Sequence, residues 1–176
     1  WTWFGGDCCT GAGTWSATFE APPEPDPDAT TEDSGGSSDT GEPPTGVVPP
    51  DANAEQREAI ERVNWYRANV GLAPVDMDAH VNLAAQGHAE FYVANIKAYQ
   101  AGEVPGGAHA QASGLPGFTG ESFADRMKAA GYKGNPGFEV IAFLHQPAAA
   151  IDAWMETVYH RLPFVSPESV DAGYGG

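Results

Sequence analysis

Residues 21 to 50, APPEPDPDATTEDSGGSSDTGEPPTGVVPP, restrict the possible folds more than any other stretch. Proline, glycine, serine, threonine and acidic residues make up nearly all of it, so it cannot bury enough apolar surface to offset the entropy of ordering it. The composition predicts a disordered, acidic, proline-rich linker over 21–51, and a core must come from the flanks. Residues 1–20, WTWFGGDCCTGAGTWSATFE, are aromatic but too short to enclose a core, and read as the remnant of an upstream segment. Residues 52–176 are long enough for one ordinary domain.

Charge follows the same division. Residues 1–51 carry ten acidic residues and no Lys or Arg, a net of −10, which leaves −6 of the total −16 for the remainder. An anionic chain without a basic patch is repelled by phosphate backbones and acidic lipid surfaces, which argues against nucleic acid as a partner. No apolar run reaches the roughly 18 residues a membrane helix requires. An acidic linker suits a tether between a cell surface and a globular domain. The chain opens on Trp1 and stops on AGYGG, the start of a strand pattern, so a fragment is expected, with any signal peptide upstream. Cys8 and Cys9 are the only cysteines. A bond between neighbours strains the intervening peptide, so bonding to a missing part, bonding to another chain and free thiols stand as alternatives.

In the domain, Asn53 with Gln56 predicts a capping box, followed by Ile60, Val63, Tyr66 or Arg67, and Val70 at helical spacing until Gly71. After the turn GLAPVDMD, Asp78 caps a second helix reaching Tyr99, with Val81, Ala84, Ala85, His88, Tyr92 and Ile96 near one face. A loop over 102–120 carries His109, and ESFADRMKAAG predicts a third helix. GFEVIAF, 137–143, is rich in β-formers between Gly and Pro and predicts a buried strand. Pro147 opens a fourth helix with the stripe Ile151, Trp154, Val158, stopped by Pro163, and SVDAGYGG predicts another strand. Helices separated by single strands indicate helices packed on a small sheet, an α/β class.

These residues carry a resemblance. VNWYRANVGLAPVDMDAHVNLAAQGHAEF resembles the opening of the CAP superfamily, the cysteine-rich secretory, antigen 5 and pathogenesis-related proteins, and especially its cysteine-poor bacterial branch. There the pattern is Leu-Asn-x-x-Arg, Gly-Leu-x-Pro-Leu, then an alanine-rich helix with a His-Ala pair. The similarity continues through the loop residue His109, SFADRMKAAGY, Glu139 on the expected strand, Trp154 with His160-Arg161 beyond it, and Gly173-Tyr174-Gly175. The resemblance implies secretion and a three-layer α-β-α sandwich, here lacking its last strand or strands. The implied CAP (SCP-like) domain spans 52–176, truncated at its C-terminus.

It also implies a cavity of two His and two acidic residues. His109, Glu139 and His160 match three of them. The family's second glutamate falls where this chain has Thr157, while Glu156, one place earlier, points about 100° away on a helix. Val140 replaces the usual Asn after the strand glutamate. The expectation is thus a triad. Two imidazoles and a carboxylate are a sufficient ligand set for zinc or another divalent cation, with His109 and His160 as the metal-binding imidazoles. Glu139 is the catalytic candidate, able to orient an imidazole for base work. The same residues equally form a buried network that fixes the loop. Two functions therefore stand side by side: a secreted or surface-tethered module binding a small apolar ligand, a lipid or an extracellular protein, and a metal-dependent extracellular hydrolase.

Plainer readings cover the other tempting residues. His88 is expected as a hydrogen-bonded core histidine, His80 as exposed and His145 as part of a surface turn. Trp154, Phe143 and Phe138 are expected as core aromatics. Ser122 and Ser166 have no nucleophile-elbow context.

Overall fold

Asn53 opens the first helix with the expected reciprocal cap. Its side chain accepts from Gln56 N at 2.8 Å while Gln56 Oε1 accepts from Asn53 N at 3.0 Å, satisfying two backbone donors that the first turn would otherwise orphan. The computed structural model describes residues 45–176; the segment expected to be an upstream remnant (1–20), the expected linker as far as residue 44, and Cys8 and Cys9 lie outside the described residues. Helix α1 (Ala54–Asn69) ends at Gly71, whose φ of +73° allows Gly71 N and Leu72 N to reach back to Ala68 O and Arg67 O. Helix α2 (Ala79–Ala94) starts at Asp78, which accepts from His80 N and Val81 N. Helix α4 (Phe123–Ala130) has a second capping box, Ser122 with Asp125, and α5 (Pro147–Met155) has Pro147 in its first turn.

Several expectations need correction. The long second helix is interrupted, because the Asn95 side chain donates to Phe91 O (2.8 Å) and Pro116 O (3.0 Å), competing with the helical ladder and pinning the following loop. Residues Ile96–Gln100 form a separate short helix, α3. The fourth helix breaks at Thr157, and α6 (Val158–Val165) restarts with Pro163 inside it, so Val158 is 60% exposed and outside the core stripe. Residues 137–143 form no strand and have no backbone ladder partner among the described residues. Phe138 (69%) and Phe143 (39%) are exposed, so only Trp154 of the three aromatics is a core residue.

The sheet is correspondingly small. Asp76–Met77 (β1), in the stretch expected to be a turn, pairs in parallel with Asp171–Ala172 (β2). Residues 45–51 are already attached: Met77 N donates to Val47 O, Val47 N donates to Asp76 Oδ1, and Val48 packs on the core. The architecture is helix-rich α/β with two short strands.

Two helical groups surround this pair of strands. Helices α1, α5 and α6 pack together over Ile60, Val63, Val75, Met77, Ala150, Ile151 and Trp154. Trp154 stacks on Phe164 at 5.7 Å, and its Nε1 is a buried donor without a partner among the described residues. Helix α2 packs on α3, α4 and β2. Although it forms no strand, segment 138–143 runs between the groups with period-two alternation. Val140 and Ala142 pack on the α1/α5 core, whereas Glu139 bonds to α4 and Phe143 meets the Tyr92 ring of α2 at 5.1 Å.

Two motif residues of α1 serve this scaffold. Asn64 clasps Val75, donating to its carbonyl at 3.1 Å and accepting from its N–H at 2.8 Å. Arg67, 1% exposed, donates to Ala73 O, Phe164 O, Ser166 O and Ser169 O at 2.7–3.2 Å. Four carbonyl dipoles offset the burial of its charge, and burial lowers its pKa. Gly173 and Gly175 lie against the α2 backbone. A Cβ on Gly173 would come within 2.6 Å of Asn82 N, so this segment cannot carry side chains there. Asn82 Oδ1 accepts from Tyr174 N, and Gln86 exchanges two bonds with Gly176.

Candidate functional site

His109 closes a single 3₁₀ turn, Gly107–His109, that follows Gly106 at φ +91°. Its imidazole is more than half exposed, and its Nδ1 lies 3.0 Å from Glu139 Oε1. The other carboxylate oxygen, Oε2, accepts a short bond from Arg126 Nη2. Arg126 projects from α4 and is 1% exposed; its Nη1 donates to His109 O and Glu121 O, each at 3.2 Å. One guanidinium thus holds both the backbone of His109 and the carboxylate that orients its ring. Burial alone would raise the Glu139 carboxyl, but the His109 and Arg126 hydrogen bonds and the guanidinium charge outweigh it and hold the group below the ordinary carboxylate range.

A second layer fixes the loop. Gln111, 1% exposed, donates from Nε2 to His88 Nδ1 (3.2 Å) and accepts at Oε1 from Thr119 N (2.8 Å) and Thr119 Oγ1 (3.3 Å). Because an amide nitrogen only donates, His88 Nδ1 carries the lone pair, and Nε2–H donates to Ala108 O at 2.8 Å. His88 is therefore the hydrogen-bonded core histidine expected, with its pKa lowered by burial and by the Arg126 charge. Tyr99 donates to Ala110 O at 2.6 Å, and burial pushes its phenol up to about 12. Ala108, Ala110 and Gln111 are thus bound on either side of His109.

His160 sits in the first turn of α6, half-buried, with Nδ1 2.7 Å from Thr157 Oγ1. The single Thr157 hydroxyl hydrogen goes to Trp154 O at 3.1 Å, so His160 donates from Nδ1–H, and its Nε2 has no hydrogen-bond partner among the described residues. Thr157, standing where the resemblance implies a glutamate, thus orients the neighbouring imidazole with a neutral oxygen. His109 and Glu139 are brought together; His160 is hydrogen-bonded to neither. No group of three or more His, Cys, Asp or Glu residues stands close enough to hold a metal ion among the described residues. Glu156 is exposed at the end of α5, while His80 and His145 are exposed as expected.

Arg126 and Gln111 escaped the sequence reading, since both residue types are ordinarily exposed. One signal existed for Arg126: it falls three residues after Phe123 and four before Ala130, on the face that α4 turns to its neighbour.

The family model of the cysteine-rich secretory proteins, CAP, matches residues 60–175, well over half of the chain. The chain belongs to the CAP family. Its CAP region contains no cysteine, both cysteines lying at positions 8 and 9, so hydrogen-bonded polar side chains rather than disulfides within the region hold its loops. Comparisons with curated proteins and with solved structures returned no match. Among the described residues no helix of the CAP domain is long and apolar enough to cross a membrane.

Proposed function

We propose that this CAP domain is a secreted or surface-tethered binding module, and that its His109, Glu139 and His160 line a cavity for a small apolar ligand, a lipid or an extracellular protein partner. The engagement of Glu139 carries this reading: both carboxylate oxygens are already hydrogen-bonded, one to a buried guanidinium, so it is poorly placed to act as a base or to bind a metal directly. Exposed apolar side chains close in sequence to Glu139 and His160 support it, with Phe138 69%, Val158 60%, Tyr159 82% and Leu162 50% exposed. The passage of 138–143 between two helical groups is in keeping with an α-β-α layering.

Hydrolysis with a bound divalent ion is the second reading, favoured by the Nε2 atoms of His109 and His160, which make no hydrogen bond among the described residues. Zinc there would supply a Lewis acid and an activated water. Saturable binding of a fluorescent fatty-acid probe, weakened by Tyr159→Ser and His160→Ala, is the expected result. A probe that binds all variants alike without saturation would sink the binding reading. Turnover of a peptide or polysaccharide library that is lost in a folded Glu139→Gln protein would establish hydrolysis instead.

A further inference from the structure

The unusual feature of the site is its cation. Arg126 is 1% exposed, and Glu139 is its carboxylate partner among the described residues. A buried guanidinium needs a compensating anion, and a buried carboxylate needs a cation or several donors. Each group meets the other's requirement, and the two remaining contacts of Arg126 go to backbone carbonyls at 3.2 Å, one of them that of His109. A dication bound directly to Glu139 would have to share an oxygen that already accepts from Arg126 or His109. It would also sit within a few ångströms of a positive charge that has no route to solvent.

The proton on His109 follows from the same contacts. A carboxylate held ionised by Arg126 only accepts, so the neutral imidazole donates from Nδ1–H, and the Nε2 lone pair faces outward. The ring is exposed enough for a ligand to reach that atom. We propose that Arg126 is the resident cation of this site: it keeps Glu139 as a neutralised, orienting carboxylate, and the recognising atom is His109 Nε2, which accepts a hydrogen bond from a ligand hydroxyl or amide. Arg126 is thus a positioning residue that acts through Glu139. The assignment rests on the binding-cavity reading only in calling this a recognition site. Its test measures the chain itself, so failure of the fatty-acid probe would leave it standing.

Two measurements on the full chain decide it. In metal-free protein at pH 8, nitrogen-15 spectra of labelled histidine are expected to give His109 the Nδ1-protonated tautomer. Calorimetric titration with zinc alone is expected to show at least about tenfold tighter binding to Arg126→Gln than to the wild type, because the substitution frees the carboxylate. Arg126→Lys, which restores the charge, is expected to return the affinity to the wild-type level, and Glu139→Gln added to Arg126→Gln is expected to abolish the gain. Equal zinc affinity in the wild type and Arg126→Gln overturns the proposal. So does wild-type zinc binding that Glu139→Gln abolishes while the Arg126 guanidinium resonances shift on zinc addition. Should Arg126→Gln not fold, the wild-type tautomer decides alone, and an Nε2-protonated His109 overturns the assignment.

Discussion

The two helical groups bury different kinds of side chain. Around α1 and α5 the interior is mostly apolar, with Ala59, Ile60, Val63, Ala150, Ile151 and Trp154 inside, and Gln56 and Arg67 as its buried polar members, toward the two ends of α1. Around α2 and α4 it is largely polar: Asn82, His88, Asn95, Gln111 and Arg126 are buried, with Ala84, Phe91 and Val104 among them. Apolar contacts are non-directional and tolerate repacking, whereas hydrogen bonds fix particular atoms at particular distances. The first half therefore supplies cohesion and the second supplies position. His109 belongs to the second half, on a loop that sheet or helix ladders cannot hold.

Substitutions should separate these roles. Trp154→Ala is expected to cost about 3–5 kcal/mol of stability in urea unfolding, offset slightly because the lost Nε1 donor had no partner. If His109 then loses its tautomer while the protein remains folded, the division of labour fails. Arg126→Ala is expected to cost up to about 3–5 kcal/mol, since it removes a buried guanidinium with its three hydrogen bonds and leaves the partly buried Glu139 without its cation, and to free the His109 loop. Gln111→Ala is expected to cost about 1–3 kcal/mol, with faster amide exchange confined to 108–119. Exchange spreading equally to α1 would show a single cooperative interior instead.

Acid should act first on the polar half. His88 has a folded pKa below its unfolded value near 6.5, so the unfolded chain binds the proton first and stability falls as pH drops through 6.5 toward the folded value. Glu139, also depressed, contributes stability above its unfolded pKa of about 4.5 that is lost as pH falls through the folded value. A two-stage loss is expected, and His88→Gln should remove the upper stage. The smallest effect belongs to the solvent-facing Asp152. It holds Arg62 at 2.6 and 3.0 Å with Tyr66 bonded beside it, yet Asp152→Asn is expected to cost only about 0.2–1 kcal/mol.

Caps, glycine stops and the proline start were legible in the sequence because each is a local backbone requirement met within a few residues: Asn53, Gly71, Asp78 and Pro147 all act where read. Competing side-chain bonds were not legible. Asn95 breaks a helix whose apolar pattern continues because its partner, Pro116, is 21 residues away. Thr157 and His160 re-aim the chain at a point where Ile151, Trp154 and Val158 promise an unbroken stripe. At the site, the family resemblance pointed to His109 and Glu139. It did not reveal that Arg126 would neutralise the carboxylate, since composition treats arginine as solvent-facing.

The grip of Arg67 has a consequence for the order of events during synthesis. Phe164, Ser166 and Ser169, three of its four carbonyl partners, lie 97 to 102 residues downstream. At about 5–20 residues per second, the ribosome needs roughly 5–20 s after adding Arg67 before those partners exist. Through that interval the guanidinium must stay hydrated, and α1 cannot settle its charged end into a dry interior. The nascent α1 therefore keeps one wet end, and its burial is among the last acts of folding.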